Sequence, residues 1–309
     1  MIDLISLLGS PFAAPTAAPP DDQTLLELYD DAFTDRVALL LLSTYRRPGW
    51  APALEKKYQT LESRRILTLD VLARVAGVLN ELDPEHYIVF KSIKPYPATP
   101  NDTDIIFMGD KQAYERAYDH LLQAGYIFHE WAPQQRTLYD ARGQDKIGKG
   151  KKGGTYYIDL YQEISTDYFA YLNKHSLAGH VVVRSINNIN VRLLRPEPEL
   201  AIVLYHSVFP ERTYQLEHFY VPLYYLAAPD FDVELFIRFV NLNKMNYAVV
   251  SSLEITASLH RRFFGFVPAL LQTILDLLGR NQREQRLFAA RQNTPYMFSP
   301  KTFWQTFLY

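Results

Sequence analysis

Apolar residues recur at helical spacing through the first quarter of the chain. Leu25, Leu26, Leu28, Phe33, Val37, Leu40 and Leu41 lay one apolar stripe along a helix over 23–45, entered through Asp21-Asp22 and stopped by Arg47-Pro48-Gly49. Leu67, Leu69, Val71, Leu72, Val75, Val78 and Leu79 do the same for a longer helix over 51–82, which Asp83-Pro84 ends. The period then shortens. Strands are expected over 87–93 and 102–108, with Pro95, Pro97 and Pro100 stiffening the turn between them. Asp110 is a suitable N-cap for a helix running to Ala124, and Gly125 a suitable stop. Further strands are expected over 126–131, 136–140 and 155–164, and a hairpin over 181–185 and 190–194 turns at Asn187-Asn188. Past Pro196 and Pro198 the spacing is helical again, with helices expected over 198–209, 231–244, 247–262, 267–279 and 282–292. The aromatic tail over 296–309 is expected to dock on the fold.

This order predicts an α+β protein: a small mixed β-sheet core over 83–195, flanked by an N-terminal helical region over 1–82 and a C-terminal helical domain over 196–309. The 309 residues, 48% of them hydrophobic, are ample for a core in each part. A formal net charge of -2 provides no global basic field for nucleic acid, so any such contact must be local. The lysines of the glycine-rich stretch 143–154, Lys146, Lys149, Lys151 and Lys152, are either such a patch or a solvated hairpin tip. The absence of cysteine excludes disulfides and thiolate metal sites. The N-terminus carries Asp3 and no basic run, a poor signal peptide, and the apolar run 37–42 is far too short to span a bilayer. A cytoplasmic protein with no membrane partner is expected.

The chemistry concentrates in Asp102-Thr103-Asp104. Strand residues two apart share a face, so the two carboxylates project together while Thr103, Ile105 and Phe107 turn to the core. Asp159 lies in Tyr156-Tyr157-Ile158-Asp159-Leu160-Tyr161, where alternation sets it opposite Ile158 and Leu160. A carboxylate inside so apolar a strand needs a strand end, a partner or a metal. Asp-x-Asp alone also marks solvated strand edges. Three carboxylates on neighbouring strands can instead hold Mg²⁺ or Mn²⁺, which take oxygen ligands, and can serve displacement at phosphorus. Lys91, Ser92 and Lys94, just ahead of the Asp pair, are candidate phosphate ligands or surface polar groups.

In these motifs the chain resembles the nucleotidyltransferase superfamily with the polymerase-beta-like fold. Phe90-Lys91-Ser92 stands where that superfamily has its Gly-Ser or Lys-Gly turn. Asp102-Thr-Asp104-Ile-Ile stands for its Asp-x-Asp strand, and Tyr157-Ile-Asp159-Leu for its third acidic strand. The helix ending Leu121-Leu122-Gln-Ala-Gly125 and the segment Pro196-Glu-Pro-Glu-Leu-Ala-Ile-Val-Leu-Tyr-His206 are similar to an uncharacterised, toxin-like branch. The turn departs from the pattern, because no glycine stands at 91 or 92; Tyr161 replaces that branch's frequent histidine. The resemblance implies transfer of a nucleoside monophosphate from an NTP to an acceptor, with release of pyrophosphate. It implies metal on Asp102, Asp104 and Asp159 and nucleotide on Lys91, Ser92 and Lys94. It leaves a small molecule, a protein side chain and an RNA end open as the acceptor, RNA or protein going with a toxin-like role. A toxin-like role further implies an antitoxin partner. Two rival readings stay open: a glycosyltransferase using Asp-x-Asp, and a catalytically degraded nucleotide-binding or regulatory module.

Overall fold

The computed structural model describes residues 2–100, 102–140, 156–166, 168–279, 282–291 and 294–308. The protein is α+β, and its chain forms two compact units. A helical unit comprises Met1–Thr60, Lys94–Ala98 and Pro196–Tyr309; a sheet unit comprises Leu61–Ile93 and Thr99–Arg195.

The first helices are α1 (Ile2–Leu8), α2 (Asp22–Thr34), α3 (Ala38–Tyr45) and α4 (Pro52–Leu82). The single helix expected over 23–45 is therefore two. Arg36 stands at φ 59, a left-handed conformation that no α-helix accommodates. The break turns the buried Asp35 inward, where its carboxylate accepts from Leu216 N at 3.1 Å and from Thr294 Oγ1 at 3.0 Å. A break used by polar partners so distant along the chain leaves no mark in the apolar period.

The sheet unit begins within α4, at Leu61. It continues with β1 (Tyr87–Phe90), β2 (Asp102–Phe107), α5 (Lys111–Gln123), β3 (Tyr126–Ala132), β4 (Gln135–Asp140), β5 (Tyr157–Tyr161), a ribbon of β6 (Ile164–Thr166) and β7 (Phe169–Leu172), and the hairpin β8 (Val181–Ile186) and β9 (Ile189–Leu194). Seven of these strands make one mixed sheet in the order β3-β4-β5-β2-β1-β9-β8. One face is the core. Val71, Val75 and Leu79 of α4 and Tyr114 and Leu121 of α5 cluster there with Tyr87, Ile105, Phe107, Leu138, Ile158 and Leu160. The expected cap holds: Asp110 accepts from Ala113 N at 2.8 Å, and Gly125 takes φ 92 just past the helix. Two strands are shorter than expected. β1 stops at Phe90 because Lys91 takes φ 57, and β5 stops at Tyr161, before β6 starts its own ribbon.

The helical unit resumes with α6 (Pro196–Val208), β10 (Thr213–Tyr214), α7 (Leu216–Leu226), α8 (Val233–Leu242), α9 (Asn246–Phe264), α10 (Ala269–Leu278), α11 (Gln282–Arg291), β11 (Tyr296–Met297) and α12 (Pro300–Leu308). The aromatic tail docks as expected: β11 pairs with β10, and Tyr296 and Phe298 are buried against Tyr214 and Phe288. Helix α7 escapes the periodicity because Pro222 lies inside it. Proline cannot donate to the carbonyl four residues back, and Thr256 Oγ1 approaches that carbonyl, His218 O, at 3.3 Å. No helix among the described residues is long and apolar enough to cross a membrane.

His218 closes a capping box on α7: its Nδ1 accepts from Gln215 N at 3.0 Å. Burial, with Arg36 and Lys94 adding to it, pushes the imidazole pKa down to about 4 despite the nearby Glu217. The unfolded His218 thus takes up a proton that the folded one refuses. Its contribution to stability is complete above the ordinary histidine pKa of about 6.5 and is lost as pH falls to about 4. The loss amounts to about 3 kcal/mol. Glutamine serves the same cap without titrating. His218→Gln is therefore expected to flatten the pH dependence of urea unfolding across that window. An unchanged slope would refute the assignment.

Candidate active site

The register of three strands assembles the carboxylates. β2 runs parallel to β5 with Asp104 opposite Asp159, and β4 runs antiparallel to β5 with Thr137 opposite Asp159. On the far side of β2, Phe90 of β1 stands opposite Asp104. Directly opposed residues share a face, so Phe90, Asp104, Asp159 and Thr137 form one row across the sheet, away from the core. The next row holds Asp102, Tyr157 and Tyr139. Thr103, Ile105, Ile158 and Leu160 all turn to the other face, as alternation requires.

Two carboxylates facing each other across a parallel pair repel, and burial worsens the cost of charge. Asp104 is buried. Burial and the neighbouring Asp104 raise the Asp159 carboxyl above the ordinary carboxylate value, while Thr137, Gln135 and Lys91 pull the other way. Thr137 Oγ1 donates to Asp159 Oδ1 at 2.6 Å. Lys91 Nζ lies 3.4 Å from Asp104 Oδ1, and the two side chains are only 11% and 8% exposed. The same ammonium stands 5.0 Å from the Phe90 ring and 5.7 Å from the Tyr161 ring. Burial, Asp104 and Asp159 raise the Tyr161 phenol well above its usual value, so it stays protonated beside them.

The sequence-predicted residues divide between the units. Asp102, Asp104, Asp159, Lys91 and Ser92 belong to the sheet unit, whereas Lys94 belongs to the helical unit. Lys94 Nζ is 2.6 Å from Glu217 Oε1. Ser92 is buried; its Oγ donates to Phe90 O and accepts from Asp104 N, each at 2.9 Å. It thereby ties the end of β1 to the backbone of a carboxylate. The left-handed residue of this turn is Lys91 rather than Ser92. The lysines Lys146, Lys149, Lys151 and Lys152 lie outside the described residues.

Three neighbours went unread in the sequence: Thr137, Tyr156 and Lys174. Thr137 and Tyr161 flank the carboxylates, and Tyr156 OH donates to Asp102 O at 2.6 Å. Lys174 is buried at the ends of two of the site strands: its Nζ donates to Phe107 O at 3.2 Å, Gly109 O at 2.9 Å and Gln162 O at 2.7 Å, with Glu163 Oε1 at 3.3 Å. Only strand order brings Thr137 beside Asp159, and no local spacing encodes it. For Lys174, in a turn that is otherwise largely exposed, no local signal marks its burial.

Among the described residues, no three His, Asp or Glu side chains are gathered closely enough to hold an ion together. Asp104 and Asp159 meet as a pair, with Asp102 one row away on the same face. Mg²⁺ is commonly held by one or two carboxylates, with water and phosphate oxygens completing its shell. Two hard oxygen donors in register fit that pattern, and their mutual repulsion calls for a cation.

No protein-family model matches the chain, and no curated protein matches it. Among solved structures it is similar to the crystal structure of an antigenic nucleotidyltransferase-like protein from Paracoccidioides brasiliensis, at 12% identity and a TM-score of 0.34, over 76% of this chain and 96% of that one.

Proposed function

We propose that the sheet unit is a metal-dependent nucleotidyltransferase, which moves a nucleoside monophosphate from an NTP to an acceptor hydroxyl and releases pyrophosphate. The observation that carries this reading is the register of Asp104 with Asp159 on the polar face of β2 and β5. Asp104 and Asp159 hold Mg²⁺ or Mn²⁺, and Asp102 extends the acidic face towards the nucleotide. The metal supplies charge stabilisation for the phosphoryl oxygens. Asp159, oriented by Thr137, takes the proton of the acceptor hydroxyl. The hydroxyl oxygen bonds to the α-phosphorus as the bond to the β-phosphate bridge breaks. Lys91 neutralises phosphate oxygens. Tyr157, against which His129 packs with ring centroids 4.5 Å apart, offers an aromatic surface beside Asp102 for the base. RNA and protein hydroxyls are the acceptors proposed. If RNA is one, the lysines over 146–152 add a salt-dependent contribution to its binding; a toxin-like role carries an antitoxin partner with it.

One observation favours a second reading, a nucleotide-binding module without turnover. The Ser92 hydroxyl, a candidate phosphate ligand, is already engaged by Phe90 O and Asp104 N.

Asp104→Asn and Asp159→Asn are each expected to cut pyrophosphate release and transfer of labelled NMP by at least about a hundredfold, with the double variant no worse than the singles, because groups acting as one unit are not additive. Transfer undiminished in Asp104→Asn would sink the mechanism, while NTP binding without pyrophosphate release in the wild type would establish the second reading. Ser92→Gly leaves Asp104 N without its buried acceptor and is expected to cost about 1–3 kcal/mol. Chemical denaturation measures this; a stabilised variant would show that the hydroxyl is not a structural tie.

A further inference from the structure

We infer that Lys91 is the built-in counter-ion of the carboxylate pair, and that a divalent metal must displace its ammonium from Asp104 in order to bind. The inference rests on the proposed metal site and adds a resident competitor to it. Lys91 Nζ lies 3.4 Å from Asp104 Oδ1, with both side chains nearly enclosed. Phe90 and Tyr161 wall the ammonium, and their rings pack edge-on at 5.5 Å. The charge thus sits in an aromatic slot facing the same acidic row that would hold a metal.

Three features set this apart from an incidental surface pair. First, Lys91 takes φ 57, a conformation strained for a lysine and free for a glycine. The turn tolerates that strain at a residue whose ammonium reaches Asp104. Second, Asp159 stands opposite Asp104 in the same row, so the ammonium that meets Asp104 faces both carboxylates. One cation therefore serves both members of the pair. Third, a buried carboxylate stripped of its partner is strongly destabilising. The fold needs a cation at this position whether or not metal is present, and Lys91 provides it.

The consequence is an exchange. With Lys91 on Asp104, half of the pair's charge is already compensated, which weakens its affinity for Mg²⁺ or Mn²⁺. A nucleotide triphosphate favours metal binding on two counts: it brings oxygen ligands for the ion, and it offers the displaced ammonium new anionic partners. Metal alone is then a poor ligand, and metal with NTP a good one. The lysine makes loading of the site depend on substrate.

The test is Mn²⁺ binding by calorimetry, with thermal melts of the full chain in EDTA and in Mn²⁺. Wild type is expected to bind Mn²⁺ alone weakly and to gain little melting temperature from it. Lys91→Met is expected to melt several degrees lower in EDTA, to recover in Mn²⁺, and to bind Mn²⁺ at least about tenfold more tightly than wild type. That gain should persist at about 0.5 M salt, because a contact between enclosed groups is screened far less than a diffuse surface field. Adding Asp104→Asn should abolish both the loss in EDTA and the recovery. If Lys91→Met proves insoluble without metal, its soluble yield with and without Mn²⁺ in the growth medium is the readout. Equal Mn²⁺ affinity in wild type and Lys91→Met, or a destabilised variant that Mn²⁺ does not restore, overturns the inference. NTP turnover in wild type separates the two levels. Turnover with unchanged Mn²⁺ affinity in Lys91→Met leaves the transferase reading standing alone. Metal rescue without turnover leaves the counter-ion standing and removes the transferase.

Discussion

Two carboxylates held face to face across a parallel strand pair are the constraint around which the sheet unit is organised. Asp104 and Asp159 meet because β2 and β5 are in register and adjacent, and neither can turn away without carrying Ile105 or Leu160 out of the core. Slipping β5 by one residue would put Asp159 among Val71, Val75 and Tyr114 and expose Ile158 and Leu160 to the polar face. Hydrophobic burial on one face of the sheet therefore enforces electrostatic repulsion on the other. A fold that tolerates this must contain compensating charge and donors.

Those donors come from separate segments of the sheet unit. Thr137 addresses Asp159, Ser92 addresses the backbone of Asp104, Tyr156 addresses the carbonyl of Asp102, and Lys91 addresses the Asp104 carboxylate. Lys174 works at the far ends of the same strands, where carbonyls of Phe107, Gly109 and Gln162 converge on its ammonium. A buried lysine is stable only when its donors are satisfied. Here satisfying them also fixes where β2 and β5 end relative to each other. The acidic row is thus clamped along the strands by Lys174 and across them by hydroxyls, the kind of support that holds a reacting constellation within a fraction of an ångström.

Period-two alternation within β2 and β5 was legible from residues alone, because it depends on neighbours in sequence: Asp102 and Asp104 share a face, and Asp159 opposes Ile158 and Leu160. The Asp159 strand neighbours the Asp102–Asp104 strand as expected, but the rest of the strand order was not legible. Nothing in 83–195 states that β4 flanks β5 on its other side, so Thr137 could not be found. Long-range polar contacts also went unread. The break at Arg36 answers to Asp35 reaching Leu216 and Thr294, and the carbonyl that Pro222 leaves without its helical donor lies beside Thr256. Lys94 illustrates the same limit. Three residues from Lys91, its chain segment belongs to the helical unit and its ammonium pairs with Glu217 there, a contact that no local spacing encodes.

Lys91 joins the local and the long-range in one residue. The end of β1 must turn sharply to bring Ser92 under Asp104 N, and a left-handed residue makes that turn. Glycine would do it at least conformational cost, but glycine has no charge to set against Asp104. Any longer side chain strains the backbone there by about 1–2 kcal/mol, and only a cationic one recovers that cost by neutralising a buried carboxylate. The ammonium is compact enough to lie over both the Phe90 and Tyr161 rings. The lysine at this turn is thus the residue that satisfies the backbone and the carboxylate together. Its presence converts a glycine's conformational role into an electrostatic one.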